Sequence, residues 1–237
     1  MSWTILVIPA IVALALFIFS RSRGLPRRVR RTPFLVAGLF LGLMITPVAF
    51  TAATASTSTD YRATLQAVPL NPASSGYATI SRVGTQVTVD VHATGLTPNL
   101  PHAMHIHGDL KAQNECPLAS ADVNTGDPIS GPFIAGTPDG LISVSEGAPF
   151  YGPVQVSFTL DPFPTTAAVA FEVEKFPTAN PSGVLDYHRT FTIPGKVVAK
   201  LGQLHVVVHG EDLNASGSYD SFMEASLPVA CGRINPS

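Results

Sequence analysis

His105 and His107 stand two residues apart inside the run Pro101-His102-Ala103-Met104-His105-Ile106-His107-Gly108-Asp109, which reads as a β-strand. Side chains at i and i+2 of a strand point to the same face, with their bases about 6–7 Å apart. Two imidazoles on one face can grip one metal ion. A third histidine comes from a second strand-like run, Leu204-His205-Val206-Val207-Val208-His209-Gly210. For His209 to reach the same point, the two runs must lie side by side, so the chain needs a sheet that pairs segments far apart in sequence. The only two cysteines, Cys116 and Cys231, follow these two runs.

The rest of the C-terminal part agrees with an all-β reading. Strands are expected over 61–68, 76–83, 85–94, 102–107, 154–160, 167–174, 186–193 and 204–209. In the third of these, Val87, Val89 and Val91 alternate with Thr88, Asp90 and His92, the pattern of a strand with one buried and one solvated face. Short strands punctuated by Gly, Pro and Asn argue for a barrel or sandwich. The insertion 117–153 is not strand-like, and no internal repeat is visible.

The first 59 residues are a different material. An uncharged apolar run, 3–19, is followed by an arginine-rich stretch, a second apolar run at 33–50, and an Ala/Thr/Ser linker to residue 59. Two readings stand. The two runs span a membrane as a hairpin with the arginines on the cytoplasmic side, or the arginines, the second run and Ala53-Thr54-Ala55 make a secretory signal peptide. Cleavage or anchoring by the second run is slightly favoured. Either way residues 60–237 form an exported β domain, and the membrane is met only through the N-terminal segment. The compartment permits a disulfide. All six basic residues before residue 60 are arginines, whereas residues 60–237 hold 16 acidic and 8 basic residues. That balance excludes a basic nucleic-acid surface and does not draw in anions.

Gly95-Leu96-Thr97, His102-x-x-His105-x-His107, Cys116, Val-Val-His209 and Ala-Cys231-Gly, in that order, resemble the copper/zinc superoxide dismutase family over roughly residues 60–237. The resemblance implies a Greek-key β-barrel of that type. It implies copper on His105, His107 and His209, three of the family's four copper ligands. It also implies a Cys116–Cys231 disulfide, a structural role for His102 that ties the barrel together, and superoxide as substrate. The departures carry equal information. Asp122 stands where the family has the histidine bridging copper and zinc, and no histidine lies between Cys116 and Gly152. Pro228 stands where the family has the arginine that guides superoxide. The family's zinc site is therefore absent. The proton otherwise delivered by the bridging histidine would have to come from water, so dismutase activity is expected to be weak or absent.

Read on their own, the three histidines could also be polar residues satisfied within a barrel, and the cysteines either a disulfide or a pair of buried thiols. A disulfide would close a loop of more than 100 residues, worth about 4–5 kcal/mol in the chain-entropy model. Asp212, three residues past His209, is placed to orient a histidine ring. His205 shares a strand face with His209, while His92 and His188 read as solvated strand residues. A calcium site is a further candidate. Asp139 to Glu146 matches the latter half of an EF-hand loop, with Asp122 and Asn124 available to supply the first half. The segment 212–220 alternates oxygen-bearing side chains around a glycine. Ordinary Asx and glycine turns give the same pattern. No nucleophile elbow, phosphate loop or catalytic carboxylate pair is present. Two other functions fit the same residues: a non-enzymatic extracellular copper-binding module, and an interaction domain like the CHRD domain, which carries a similar Ala-His-Ile-His-Gly motif.

Overall fold

A computed structural model describes residues 57–110, 114–123 and 138–237. The N-terminal apolar runs and Asn124 lie outside the described residues. Eight strands are described: β1 (Thr59–Ala67), β2 (Ser75–Val83), β3 (Gln86–Thr94), β4 (Met104–His107), β5 (Val154–Ser157), β6 (Leu185–Thr192), β7 (His205–His209) and β8 (Pro228–Pro236). They form one antiparallel sheet in the order β5-β4-β7-β8-β1-β2-β3-β6, curled into a half-barrel. Among the described residues three short α-helices accompany it: α1 (Val144–Tyr151), α2 (Gly195–Val198) and α3 (Phe222–Ser226). Among the described residues no helix is long and apolar enough to cross a membrane.

Strand periodicity places the core. Val87, Val89 and Val91 of β3 face inward with Ile80 of β2, Met104 and Ile106 of β4, Val206 and Val208 of β7, and Phe158. The intervening positions of β3 face outward and are half-buried. β4 and β7 differ from β3 because both their faces are buried. Their inner face meets the main core, and Val207 on the outer face packs with Ile142, Tyr151 and Cys231 in a second cluster. The insertion thus roofs the outer face of the strands that carry the histidines.

Two carboxylates hold that roof. Ser143 caps α1 in a reciprocal capping box, and Glu146 returns the bond to the Ser143 N–H at 2.8 Å. The other Glu146 oxygen accepts the Val123 N–H at 3.0 Å. Asp122 accepts the N–H groups of Asp139 and Gly140 at 2.9 and 3.0 Å. The Cys116–Cys231 disulfide pins the same insertion to β8, with 5.7 Å between the Cα atoms. A disulfide fits an oxidising, extracytoplasmic environment.

One expected strand is corrected. Residues 167–174 form two 3₁₀ turns, Ala167–Val169 and Val173–Lys175. Their alternating small and apolar residues imitate a strand pattern, yet no neighbouring strand offers a ladder. The Ala170 carbonyl is thereby left available to a side chain. The far end of the sheet is closed by side chains on β6. Tyr187 donates to the Thr159 carbonyl at 3.0 Å. Arg189 donates to the carbonyls of Thr159, Leu160 and Phe163 at 2.8, 3.2 and 3.0 Å, and pairs with Asp161 at 3.2 Å.

Candidate metal centre

β4 presents His105 and His107 on its outer face, as their i, i+2 spacing requires. β7 lies beside β4, with His105 opposite Val207 and His107 opposite His205. His209 stands at the end of β7, where its N–H donates to the Ala103 carbonyl at 2.8 Å. The three rings meet with centroids 5.1–5.5 Å apart. One nitrogen from each comes within 4.8 Å of the others. All three residues are buried, at 0, 3 and 1 % exposure for His105, His107 and His209.

Backbone carbonyls set the tautomers. A carbonyl oxygen only accepts, so the ring nitrogen facing it must carry the proton. His105 donates from Nε2 to the Ala170 carbonyl at 3.0 Å. His107 donates from Nδ1 to the Gly152 carbonyl at 2.8 Å, and His209 from Nδ1 to the Ser226 carbonyl at 2.7 Å. The remaining nitrogens are His105 Nδ1, His107 Nε2 and His209 Nε2. His105 Nδ1 is buried without a hydrogen-bond partner. His107 Nε2 and His209 Nε2 face each other at 3.4 Å.

A proton between the two Nε2 atoms would make that contact a hydrogen bond, but burial opposes it. Desolvation lowers His107 to about 3 and His209 to about 4. His105 is held well below its ordinary value by desolvation and then by its two neighbouring histidines. At neutral pH three lone pairs therefore converge in a buried pocket, an arrangement costly without a cation. Three neutral imidazoles suit copper, zinc or nickel. Each ring's other nitrogen is anchored by a hydrogen bond, as metal-ligating histidines usually are.

Glycine is required at one anchor. Gly152 ends α1 with φ +76, and a Cβ there would lie 2.8 Å from the Asp109 nitrogen. Tyr151, just before it, packs edge-on against His107 at 4.7 Å. Its hydroxyl donates to the Val144 carbonyl at 3.1 Å, and burial raises the phenol above its ordinary range. Phe176 covers His105 at 5.3 Å.

The other expected residues fall elsewhere. The Asp212 carboxylate does not orient a histidine ring. It accepts the N–H groups of Ser216 and Gly217 at 3.0 and 2.7 Å, inside its own loop. His102 has both ring nitrogens against carbonyls, of His209 at 3.1 Å and Thr97 at 3.0 Å, and so ties the ligand strand to the 97 turn. Burial lowers its pKa, and the two carbonyls work against that. Among the described residues, Asp122, Asp139 and Glu146 do not form a converging group. Their oxygens accept backbone N–H groups, Asp139 that of Leu141 at 3.2 Å. Among the described residues the histidine triad is the one converging group of three or more His, Cys, Asp or Glu side chains. In the 212–220 segment Asn214 donates to Asp220 at 3.0 Å. Glu224 closes that loop by accepting the N–H groups of Leu213 and Asp220.

Compared with known proteins, the chain matches no family model and no curated sequence.

Proposed function

We propose that the chain is an exported, superoxide-dismutase-like Greek-key domain that holds one copper ion on His105, His107 and His209. One observation carries this reading: three buried imidazoles with carbonyl-assigned tautomers turn their lone pairs to one point. Binding to the neutral rings would occur at His105 Nδ1 and the Nε2 atoms of His107 and His209. Copper on three imidazoles would supply one-electron chemistry, for which superoxide is the substrate suggested by the sequence resemblance.

The surrounding residues favour holding the metal over rapid turnover. The Asp122 carboxylate, in the place of a bridging histidine, is engaged with backbone N–H groups and carries no proton toward the triad. The Pro228 carbonyl accepts from the Asn71 amide at 2.7 Å, and the position brings no cation to guide an anion. The roof is tied by Asp122, Glu146 and the disulfide, so the domain does not need zinc to order it. Calcium has no comparable support.

Metal analysis of the chain produced by export, followed by a superoxide assay, tests the reading. Expected are one copper per chain, its loss in His105→Ala and His209→Ala, and a rate well below the diffusional ceiling of ~10⁸–10⁹ M⁻¹s⁻¹. Copper retained by both variants would overturn the site. A rate near the ceiling would overturn the slow-turnover reading. Stoichiometric copper with no rate at all would make the domain a non-enzymatic copper-binding module. Absence of any bound metal would favour a CHRD-like interaction role.

A further inference from the structure

His205, Cys116 and Cys231 border one cavity on the outer face beyond Val207, although in the oxidised protein they do not converge as the triad does. His205 is 2 % exposed, and its Nδ1 has no hydrogen-bond partner. On the neighbouring strand Val207 stands opposite Cys231 and His205 opposite Arg233. His205 and Cys231 are therefore diagonal neighbours on one face, about 7–8 Å apart along the backbone and within side-chain reach. Both line a cavity of about 430 Å³ with Cys116, Arg233, Glu115 and Thr64. Cys116 is partly exposed there, while Cys231 is buried.

We propose that this cavity is a second metal site, formed only when the disulfide is reduced, in which the thiolates of Cys116 and Cys231 and the imidazole of His205 bind a soft cation of the Cu(I) or Zn(II) class. In the oxidised protein the sulfurs are bonded to each other and the imidazole Nδ1 is left without a hydrogen-bond partner. A small dithiol entering from the Cys116 side transfers two electrons and two protons. The protein S–S bond breaks, two thiols form, and the reductant leaves as its own disulfide. An arriving cation then displaces the two thiol protons. Thiolate and imidazole together select soft and borderline metals. The Arg233 guanidinium at the cavity wall favours thiolate over thiol. None of the three ligands belongs to the triad, so the site stands or falls independently of it.

Cadmium reports on thiolate ligation through an ultraviolet charge-transfer band that an all-histidine site does not give. The full chain is reduced with dithiothreitol without oxygen, desalted, and titrated with Cd²⁺ while circular dichroism monitors the fold. The reduced protein should show the band and the oxidised protein should not. The double variant His105→Ala/His209→Ala should retain it, whatever becomes of copper. His205→Ala and the bulkier His205→Gln should weaken cadmium binding at least about tenfold. Equal affinity in both His205 variants, no band on reduction, or loss of the fold on reduction would each overturn the proposal.

Discussion

Acidifying the metal-free protein from pH 7 to pH 5 is expected to remove a large part of its stability. Besides His102, whose two ring nitrogens both face carbonyls, four imidazoles are withdrawn from water in the folded state: His105, His107, His205 and His209. Desolvation takes His107 down to about 3, and His205 and His209 down to about 4, while His105 is also held well below its ordinary value. In the unfolded chain the same rings titrate near 6.5. Between these values the unfolded state binds protons that the folded state refuses. Stability is therefore fully present above about pH 6.5 and lost as the pH falls toward about 4. Integrated from pH 7 to pH 5, the loss is about 2 kcal/mol for each ring held at about 3–4, so about 6 kcal/mol for His107, His205 and His209, and His105 adds to it in the same direction. A domain's whole stability is roughly 5–15 kcal/mol. Glu211 works in the opposite direction, because burial raises its carboxyl and the folded state then holds the proton more readily. Its single carboxyl offsets only part of the loss. Urea unfolding in chelator-treated buffer at pH 7, 6 and 5 measures the effect. His105→Ala should flatten the dependence by about one proton. A midpoint unchanged from pH 7 to pH 5 would refute the reasoning, since it would mean that the triad charges in place and is wet.

Copper at a hundredfold excess over its dissociation constant should stabilise the chain by ~2.7 kcal/mol, read as a rise in melting temperature. His105→Ala and His209→Ala should abolish most of that rise, and His92→Ala and His188→Ala should preserve it. Removing zinc with a chelator should leave the melting temperature unchanged; a drop restored only by zinc would reveal another site. Cys231→Ser should lower stability by about 4–5 kcal/mol in urea unfolding, because the bond closes a separation of 115 residues. Gly152→Ala, which forces a side chain into positive φ and moves the carbonyl that anchors His107, should cost roughly 1–3 kcal/mol and weaken copper binding, measured by denaturation and metal titration.

Strands were legible where their patterns are local. Val87, Val89 and Val91 announce a half-buried strand, and the i, i+2 histidines announce a shared face. The anchors of the triad were not legible. They are the carbonyls of Gly152, Ala170 and Ser226, and every residue has a carbonyl. Only the fold decides which one meets a ring, and a turn rather than a strand at 167–175 leaves that of Ala170 available. Asp212 looked like the ring's partner because it is close in sequence, yet its loop turns the carboxylate onto its own backbone. The calcium reading of Asp122, Asp139 and Glu146 arose from a real chemical kinship. A helix N-terminus and a cation both attract carboxylate oxygens, and sequence spacing alone does not separate the two. Gly140, between Asp139 and Glu146, sits at φ +94, and its turn serves the Asp122 bridge.

A sheet of this order has two terminal strands, β5 and β6, and an unprotected terminal strand is a template on which another chain can add. The Arg189 guanidinium joins β6 to the segment that follows β5 through carbonyls at three positions, assisted by Tyr187. This seam is a latch made of side chains, not of ladder bonds. Its failure would leave the rest of the barrel standing while presenting two fresh margins to neighbouring molecules. In the oxidising environment that the Cys116–Cys231 disulfide fits, away from cytosolic chaperones, Arg189 and Tyr187 guard that seam against strand-by-strand self-assembly.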